Sequence, residues 1–359
     1  LKDIMSGLVI PHFGLVRQYK NLREELLLAT DEVLKTGCLV NGPQTFKFED
    51  WLRKETRTWY ATVVHSGTQA LEIMARYEKS KHAPAISFNH PPPRVVVPNI
   101  TYPATLNAFI NAGWDVKIGD TDKNGLLNLS ENVFDYKCFV GLYGGTTDKE
   151  LTSKVFVDGA QHWLVADSNV GMGMAISFDP TKNLNASGNG GAIVTNDEDL
   201  YHYAVNYKNN SKPMEHMYTG TNSKMSELDC AHLLVRSKYI HAWQERRKQI
   251  REYYIERFKD LPIRCLSDGF IKHADQKFVI YTKDRDRLHG NMIVDGIETK
   301  IHYEKTLSEL MVTRNMETPD MISTSLMLSK GVLSLPMYPE LTDSEIETIT
   351  EKIRNFYTK

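Results

Sequence analysis

Short apolar runs alternate with helical segments through the first two thirds of the chain. That alternation restricts the fold more than any other feature. Runs at residues 60–65, 95–97, 115–118, 138–142, 155–157 and 174–178, with 192–194 after them, have strand length and are rich in Val, Ile and Phe, as strands buried on both faces are. Helical or turn segments separate several of them, which predicts an α/β layer with a mostly parallel sheet. At 359 residues the chain is long for one core, so two domains are expected. From about residue 262 the pattern changes. Strands are predicted at 277–281 and 299–303 with a helix at 285–294 between them, and a final amphipathic helix at 343–357. This is a smaller α+β domain. The expected division is a large domain with an N-terminal segment at 1–236 and a small C-terminal domain at 237–359.

Residues 18–35 carry Leu22, Leu26, Leu27, Val33 and Leu34 at helical spacing before Gly37, a helix stop. Phe48, Trp51 and Leu52 fall at the spacing of one helical face. Residues 79–93 are mostly polar and end in three prolines, the pattern of an extended surface excursion. A long helix is predicted from a Ser223 or Ser226 cap to about residue 261. Its Arg246, Arg247 and Arg251 read most simply as a solvated face.

The formal net charge of −2 argues against a general binder of nucleic acid or anionic membrane, which needs a basic excess. The four cysteines, Cys38, Cys138, Cys230 and Cys265, form no C-x-x-C pair, so the expectation is free buried thiols in a reducing cytosol rather than a metal site or disulfide framework. No apolar stretch approaches the roughly 20 residues of a membrane span. The first residues lack a signal-peptide core, and a cytoplasmic location is expected.

Several polar residues sit where predicted strands end. Ser66-Gly67-Thr68 lies between a strand and a helix, an arrangement that aims free backbone N–H groups and the helix dipole at an anion or that simply caps the helix. Tyr102 lies at a second strand-to-helix junction, able to stack on a flat ring or to pack half-buried. Asp158 ends the strand at 155–157. A carboxylate there is costly unless it meets a cation such as a pyridinium nitrogen, or it is a turn aspartate capping nearby backbone. Pro180 stops the strand at 174–178, and Lys182 follows on the turn before a glycine cluster at Gly188, Gly190 and Gly191. A lysine shown at a strand end, with the Ser177 hydroxyl just upstream, suits a Schiff-base lysine with a phosphate anchor. It equally suits a solvated charge.

Taken in order, Ser66-Gly67-Thr68-Gln69-Ala70-Leu71, Thr101-Tyr102-Pro103-Ala104-Thr105, Asp158-Gly159-Ala160-Gln161, Ser177-Phe178-Asp179-Pro180-Thr181-Lys182-Asn183-Leu184, Gly190-Gly191-Ala192-Ile193-Val194, Gly220-Thr221-Asn222-Ser223-Lys224-Met225-Ser226-Glu227-Leu228, Gly296-Ile297-Glu298-Thr299 with His302-Tyr303, and Ser334-Leu335-Pro336 resemble the DegT/StrS family of sugar-nucleotide aminotransferases. The resemblance covers nearly the whole chain. It implies the aspartate-aminotransferase fold, with a three-layer α/β/α large domain, and pyridoxal 5′-phosphate (PLP) as cofactor. It also implies a homodimer with shared sites and transfer of an amino group from glutamate or glutamine to a nucleotide-linked keto-deoxy sugar, without a metal. By the same resemblance Lys182 would hold the cofactor as a Schiff base, Asp158 would pair with its ring nitrogen and Gln161 would lie near its phenolic oxygen. Tyr102 would stack on the ring, and Gly67, Thr68 and Ser177 would hold the phosphate. Asn222 would reach the phosphate in the neighbouring subunit. His302 and Tyr303, with Asn189 and Lys224, would fall on the substrate side.

The chain departs from the family pattern in places. Asn189 stands where the family usually has an acid, Lys224 where it has arginine, and Glu304 and Lys305 where proline and histidine usually follow His-Tyr. The 161–177 segment is shorter and the 79–93 segment longer than is typical. Three other readings are therefore carried forward. One is different PLP chemistry on a related sugar or cyclitol, such as dehydration, although the dehydratase branch replaces the lysine that Lys182 retains. Another is a PLP-binding regulator that has lost catalysis. The third is a plain nucleotide-binding α/β protein, which explains Ser66-Gly67-Thr68 but not Lys182 with Asp158.

Overall fold

The computed structural model describes residues 9–82, 91–129, 135–216, 219–270, 272–316 and 322–358. Two N-terminal helices, α1 (Leu15–Thr36) and α2 (Pro43–Thr56), lead into a seven-stranded sheet. Its strands are β1 (Tyr60–Val64), β2 (Arg94–Pro98), β3 (Asp115–Gly119), β4 (Tyr136–Val140), β5 (Val155–Asp158), β6 (Gly173–Ser177) and β7 (Gly191–Thr195). The spatial order is β1-β7-β6-β5-β4-β2-β3. β7 is antiparallel to both neighbours and the other pairings are parallel, so six of these strands share one direction and end on one edge. In open α/β sheets that edge is where ligands bind.

Helices cover both faces, giving the expected three layers. On one face α3 (Gly67–Lys81), α4 (Ala104–Asn111) and α5 (Glu198–Tyr207) bury a core that includes Met74, Phe109, Phe156 and Ile193. On the other, α2 and α6 (Glu227–Ser237) close over Phe48, Leu52, Phe139, Phe178 and Leu233. A second, three-stranded antiparallel sheet has the order β10-β9-β8, from β8 (Arg264–Cys265), β9 (Phe278–Tyr281) and β10 (Val332–Leu335). With α7 (Ile240–Phe258), α8 (Arg285–Val294) and α10 (Asp343–Thr358) it encloses a separate core around Tyr254, Phe278, Leu288 and Ile349. Helix α9 (Ser323–Gly331) leads into β10.

The structure corrects several sequence expectations. The long helix after Ser226 is two helices, α6 and α7, broken at Lys238 and Tyr239. Both residues at the break are drawn to Glu25 on α1, Lys238 Nζ donating at 2.8 Å and the Tyr239 hydroxyl at 2.5 Å, and this tertiary pairing overrides a continuous helical pattern. Arg247 does not belong to a solvated face. It is buried, and its guanidinium donates to the Met337 carbonyl at 2.7 Å, while the Arg251 side chain, 12% exposed, lies 3.4 Å from the Asp275 carboxylate. Residues 299–303 form no strand, only a single bridge from Lys300 to Ser334. Leu27 and Leu34 are exposed, and Cys38 and Cys265 are only half-buried. Of the predicted 79–93 excursion, 79–81 belong to α3 and 83–90 lie outside the described residues. Ser226, not Ser223, caps α6, its hydroxyl accepting from Leu228 N at 3.1 Å. Among the described residues no helix is long and apolar enough to cross a membrane.

One buried carboxylate ties the N-terminal helices to the body. Helix α2 begins with no side-chain cap of its own, which leaves orphan N–H groups. Glu227, at the first position of α6 and 1% exposed, supplies the acceptors from outside. Its oxygens take the N–H groups of Gly42 at 2.9 Å, Gln44 at 2.8 Å and Thr45 at 2.8 Å, and the Thr45 hydroxyl. Replacing Glu227 by Ala strands these donors, so Glu227→Ala should lower stability by about 3 kcal/mol. Glu227→Gln should lose less, since it keeps one acceptor oxygen. Urea unfolding midpoints measure both; an unshifted midpoint for Glu227→Ala would show the cap to be dispensable.

Candidate active site

The shared edge of the large sheet opens onto a cavity of about 470 Å³, whose lining includes His65, Thr68, Thr101, Asp179, Asn189 and Lys277. Strand ends deliver its chemistry. β1 runs out into Ser66 and α3, β2 into Thr101 and Tyr102, β5 ends on Asp158 and β6 on Ser177. A larger cleft of about 820 Å³, bordered by Asp122, Thr147 and Lys272 among others, contains none of the predicted site residues.

At the α3 end, the Ser66 hydroxyl accepts from Gln69 N at 3.2 Å. The capping reading is thus correct for Ser66. The N–H groups of Gly67 and Thr68, in the first turn, have no intrahelical acceptor and line the cavity. Two glycines permit this crossing. A Cβ on Gly67 would lie 2.9 Å from the Ser177 Cβ, and one on Gly191 would lie 2.2 Å from the Ser66 carbonyl carbon. Ser177 is therefore held directly against the helix start.

Asp158 sits at the cavity wall. Its carboxylate accepts the Thr105 hydroxyl at 2.8 Å and Ala160 N at 3.1 Å. Burial pushes its pKa up, while Thr105, Ala160 and the Lys182 charge pull it back. Lys182 is governed by the mirror image. Burial pulls its pKa down, and the charges of Asp158 and Asp179 oppose that pull. Its amine makes no ion pair among the described residues. The lysine turn itself is rigid: Asp179 Oδ1 accepts Thr181 N at 2.9 Å and the Thr181 hydroxyl at 2.6 Å, and Lys182 N donates to Asp179 O at 2.9 Å. Phe178 N to Gly190 O and Ala186 N to Phe178 O, both 2.8 Å, close the loop's base.

The far wall comes from the neighbourhood of the small sheet. His302 is held through Ser334, 2.8 Å from its Nδ1, and burial with the Lys277 charge pulls its pKa down to about 2. Tyr303 is pushed up by burial and by the Asp158 charge, against a hydrogen bond with Gln161. Gln161 Oε1 also accepts Tyr143 N at 2.7 Å. Tyr102 stands at the mouth, 61% exposed, with its ring 6.0 Å from that of Tyr303.

The structure therefore gathers Gly67, Thr68, Tyr102, Asp158, Gln161, Ser177, Lys182, Asn189, His302 and Tyr303 around one cavity. It leaves out Asn222 and Lys224, which pair with each other on the surface, Lys224 Nζ donating to Asn222 Oδ1 at 2.6 Å. Sequence reasoning assigned nothing to two residues that act here. Thr105, one helical turn from Thr101, orients Asp158, a signal visible only once Asp158 is placed beside α4. Lys277 reads in sequence as the start of a strand, where a lysine is ordinarily exposed, yet it is 5% exposed and lines the cavity.

Residues 20–133 and 166–354 match the DegT/DnrJ/EryC1/StrS aminotransferase family. The chain belongs to this family. Among relatives of the family members, the chain is 26% identical over 379 residues to a "Pleiotropic regulatory protein" of Geobacillus stearothermophilus, covering 97% of this chain and 98% of that one. It is 27% identical over 379 residues to the "dTDP-3-amino-3,6-dideoxy-alpha-D-galactopyranose transaminase" of Aneurinibacillus thermoaerophilus, covering 97% and 99%. The solved structure of S. venezuelae DesV has the same fold, with a TM-score of 0.88, 24% identity and coverage of 98% of this chain and 99% of that one. The chain is an aminotransferase of this family, on the expected α/β architecture.

The residues present fit the family's cofactor, PLP. Unpaired N–H groups at a helix start suit a phosphate. A carboxylate held at the cavity wall suits a protonated ring nitrogen, and an unpaired, desolvated amine suits a carbonyl. A depressed pKa means a larger neutral, nucleophilic fraction at any pH below the ordinary lysine range. Reductive methylation near neutral pH should accordingly modify Lys182 faster than Lys35, which is exposed and kept charged by Asp31. Asp158→Asn should speed it further, because the charge that keeps the amine protonated is gone. Peptide mass spectrometry reads both rates; a Lys182 rate no faster than that of Lys35 would contradict the desolvation argument.

Proposed function

We propose that the protein is a PLP-dependent aminotransferase that moves an amino group from glutamate or glutamine to a nucleotide-linked keto-deoxy sugar. The observation that carries the reading is one cavity with the unpaired Lys182 amine, the Asp158 carboxylate and the free N–H groups of the α3 start on its walls. Relatives named as transaminases of dTDP- and UDP-linked sugars support the substrate class.

PLP, when bound, supplies an electron sink for breaking the C–H bond at the donor's α carbon. The α3 start and Ser177 would hold the phosphate. Asp158, oriented by Thr105, would keep a proton on the ring nitrogen. Tyr102 would cover one face of the ring, and Gln161, fixed by the Tyr143 N–H, would serve its phenolic oxygen. Lys182 would hold the cofactor's carbonyl carbon when no donor amine occupies the site. Its Nζ, once free and neutral, would be placed to take a proton from the donor's α carbon. The same Nζ would serve as the acid when the keto sugar is bound. The substrate side would involve His302, Tyr303 and Asn189.

We further propose a homodimer with shared sites. Asn222 and Lys224 lie outside their own chain's cavity, and Asn222 forms a bridge with Asn209. Nearby, Val40 bridges Ser226, and Leu39 and Val40 leave 48% and 47% of their surface exposed, an apolar patch that a second copy would cover. The division into domains at 1–236 and 237–359 is supported by the α6–α7 break.

Three outcomes are expected. The protein with added PLP should absorb visible light, and Lys182→Ala should lose that absorption; a colourless wild type would overturn the reading. Glutamate or glutamine should remove the band; a band that no amino donor alters would indicate a cofactor-binding protein without transaminase activity. Asn222→Ala should release PLP faster on dialysis and leave the dimer intact on sedimentation; unchanged retention would remove Asn222 from the neighbour's site.

A further inference from the structure

We propose that Lys277 is the residue that receives a carboxylate of the amino donor. This rests on the aminotransferase reading above and identifies a group that reading leaves unassigned.

Lys277 lies in the segment leading into β9, with its backbone N–H on the Tyr143 carbonyl at 3.1 Å. Its side chain is 5% exposed and lines the same cavity as Lys182. A buried ammonium ordinarily has a carboxylate within ion-pair distance. Lys277 has none among the described residues, and the hydrogen-bond acceptor found for its Nζ is the neutral Gln276 Oε1 at 2.7 Å.

The groups facing it explain why it stays unpaired. Asp179 is the near carboxylate, but Thr181 holds its Oδ1. Lys182 and Arg247 face it with positive charge. The imidazoles of His12 and His302 are depressed partly by the Lys277 charge. His12 Nδ1 is buried without a partner. Burial first, then Lys182, pull the Lys277 pKa well below the ordinary lysine value, with Asp179 opposing. Lys277, Lys182 and His302 thus line the cavity with donors, while Asp179, the carboxylate facing Lys277, is engaged by Thr181.

The chemistry of the reaction supplies one. Every α-amino acid that brings its amine to the Lys182 site brings a carboxylate attached to the same carbon, which must be held while the amine reacts. Lys277 is a buried amine lining the same cavity as Lys182, with no carboxylate in ion-pair distance among the described residues. A carboxylate bound there would raise the Lys277 pKa and so favour uptake of a proton.

The test uses the holoenzyme with Lys277→Met, which keeps the length and removes the charge. Glutarate, carrying both carboxylates of glutamate and no amine, serves as a non-reacting probe by calorimetry in buffers of different ionisation enthalpy. Wild type should bind it with proton uptake. Lys277→Met should bind it about tenfold more weakly or worse and without uptake. The glutamate concentration that half-converts the visible band should rise by a similar factor, with PLP retention unchanged. Lys277→Arg should restore part of the affinity. Unchanged glutarate affinity and donor saturation would overturn the proposal. Loss of PLP from Lys277→Met would also overturn it, by showing that the lysine serves the cofactor's phosphate. A wild type that forms no PLP band would instead count against the aminotransferase reading itself.

Discussion

Burial drives the Lys182 amine and the Asp158 carboxylate each toward its uncharged form, and each group's charge opposes that drive in the other. Much of the large domain serves to hold this opposition. Neither group tolerates free water, because solvation would return both to ordinary behaviour. Nor can they touch, because a direct ion pair would fix the lysine as an ammonium. The sheet resolves this by placing them beyond adjacent strands, β5 and β6, on the edge where parallel strands end. The Thr105 hydroxyl and Ala160 N–H anchor the carboxylate. The Asp179–Thr181 turn anchors the lysine backbone and leaves the amine without a fixed partner.

The cavity is also where the two sheets meet. Asn183, one residue after the lysine, donates to the Ala274 carbonyl at 2.6 Å, and Gln276 donates to the Thr181 carbonyl at 2.9 Å. Across the opening, Tyr143 adopts a left-handed backbone with φ 63°, a conformation that costs a non-glycine residue free energy. Its N–H is taken by Gln161 and its hydroxyl donates to the His302 carbonyl. These two hydrogen bonds offset that cost. The geometry of the lysine turn therefore depends on residues nearly a hundred positions away in the chain.

The cofactor side of this arrangement was legible in the sequence for a physical reason. Strand runs of Val, Ile and Phe are read by composition, and a polar residue that ends such a run must lie on the sheet's edge. Ser66, Tyr102, Asp158 and Ser177 are all of this kind. Glycines such as Gly67 and Gly191, fixed by close backbone approach, mark the same places. The strand order, the antiparallel placement of β7 and the break between α6 and α7 were not legible. They depend on long-range pairings such as Tyr239 with Glu25, which no local period encodes.

The same distinction explains the arginine that sequence reasoning misplaced and the lysine to which it assigned nothing. A cation on a predicted helix or at a strand entrance defaults to the surface, because its burial is costly when unpaired. Arg247 escapes the default by finding carbonyls at Met337 and Asp275, 90 and 28 residues distant in sequence. Lys277 differs: it finds no carboxylate partner among the described residues, and burial pulls its pKa well below the ordinary lysine value. For Arg247 the compensation is structural and lies within the chain, at Nη1, while its Nε has no partner. For Lys277 only Gln276 compensates, so the side chain remains costly in the fold alone. A residue whose burial the fold does not repay points outward from folding to what the cavity binds.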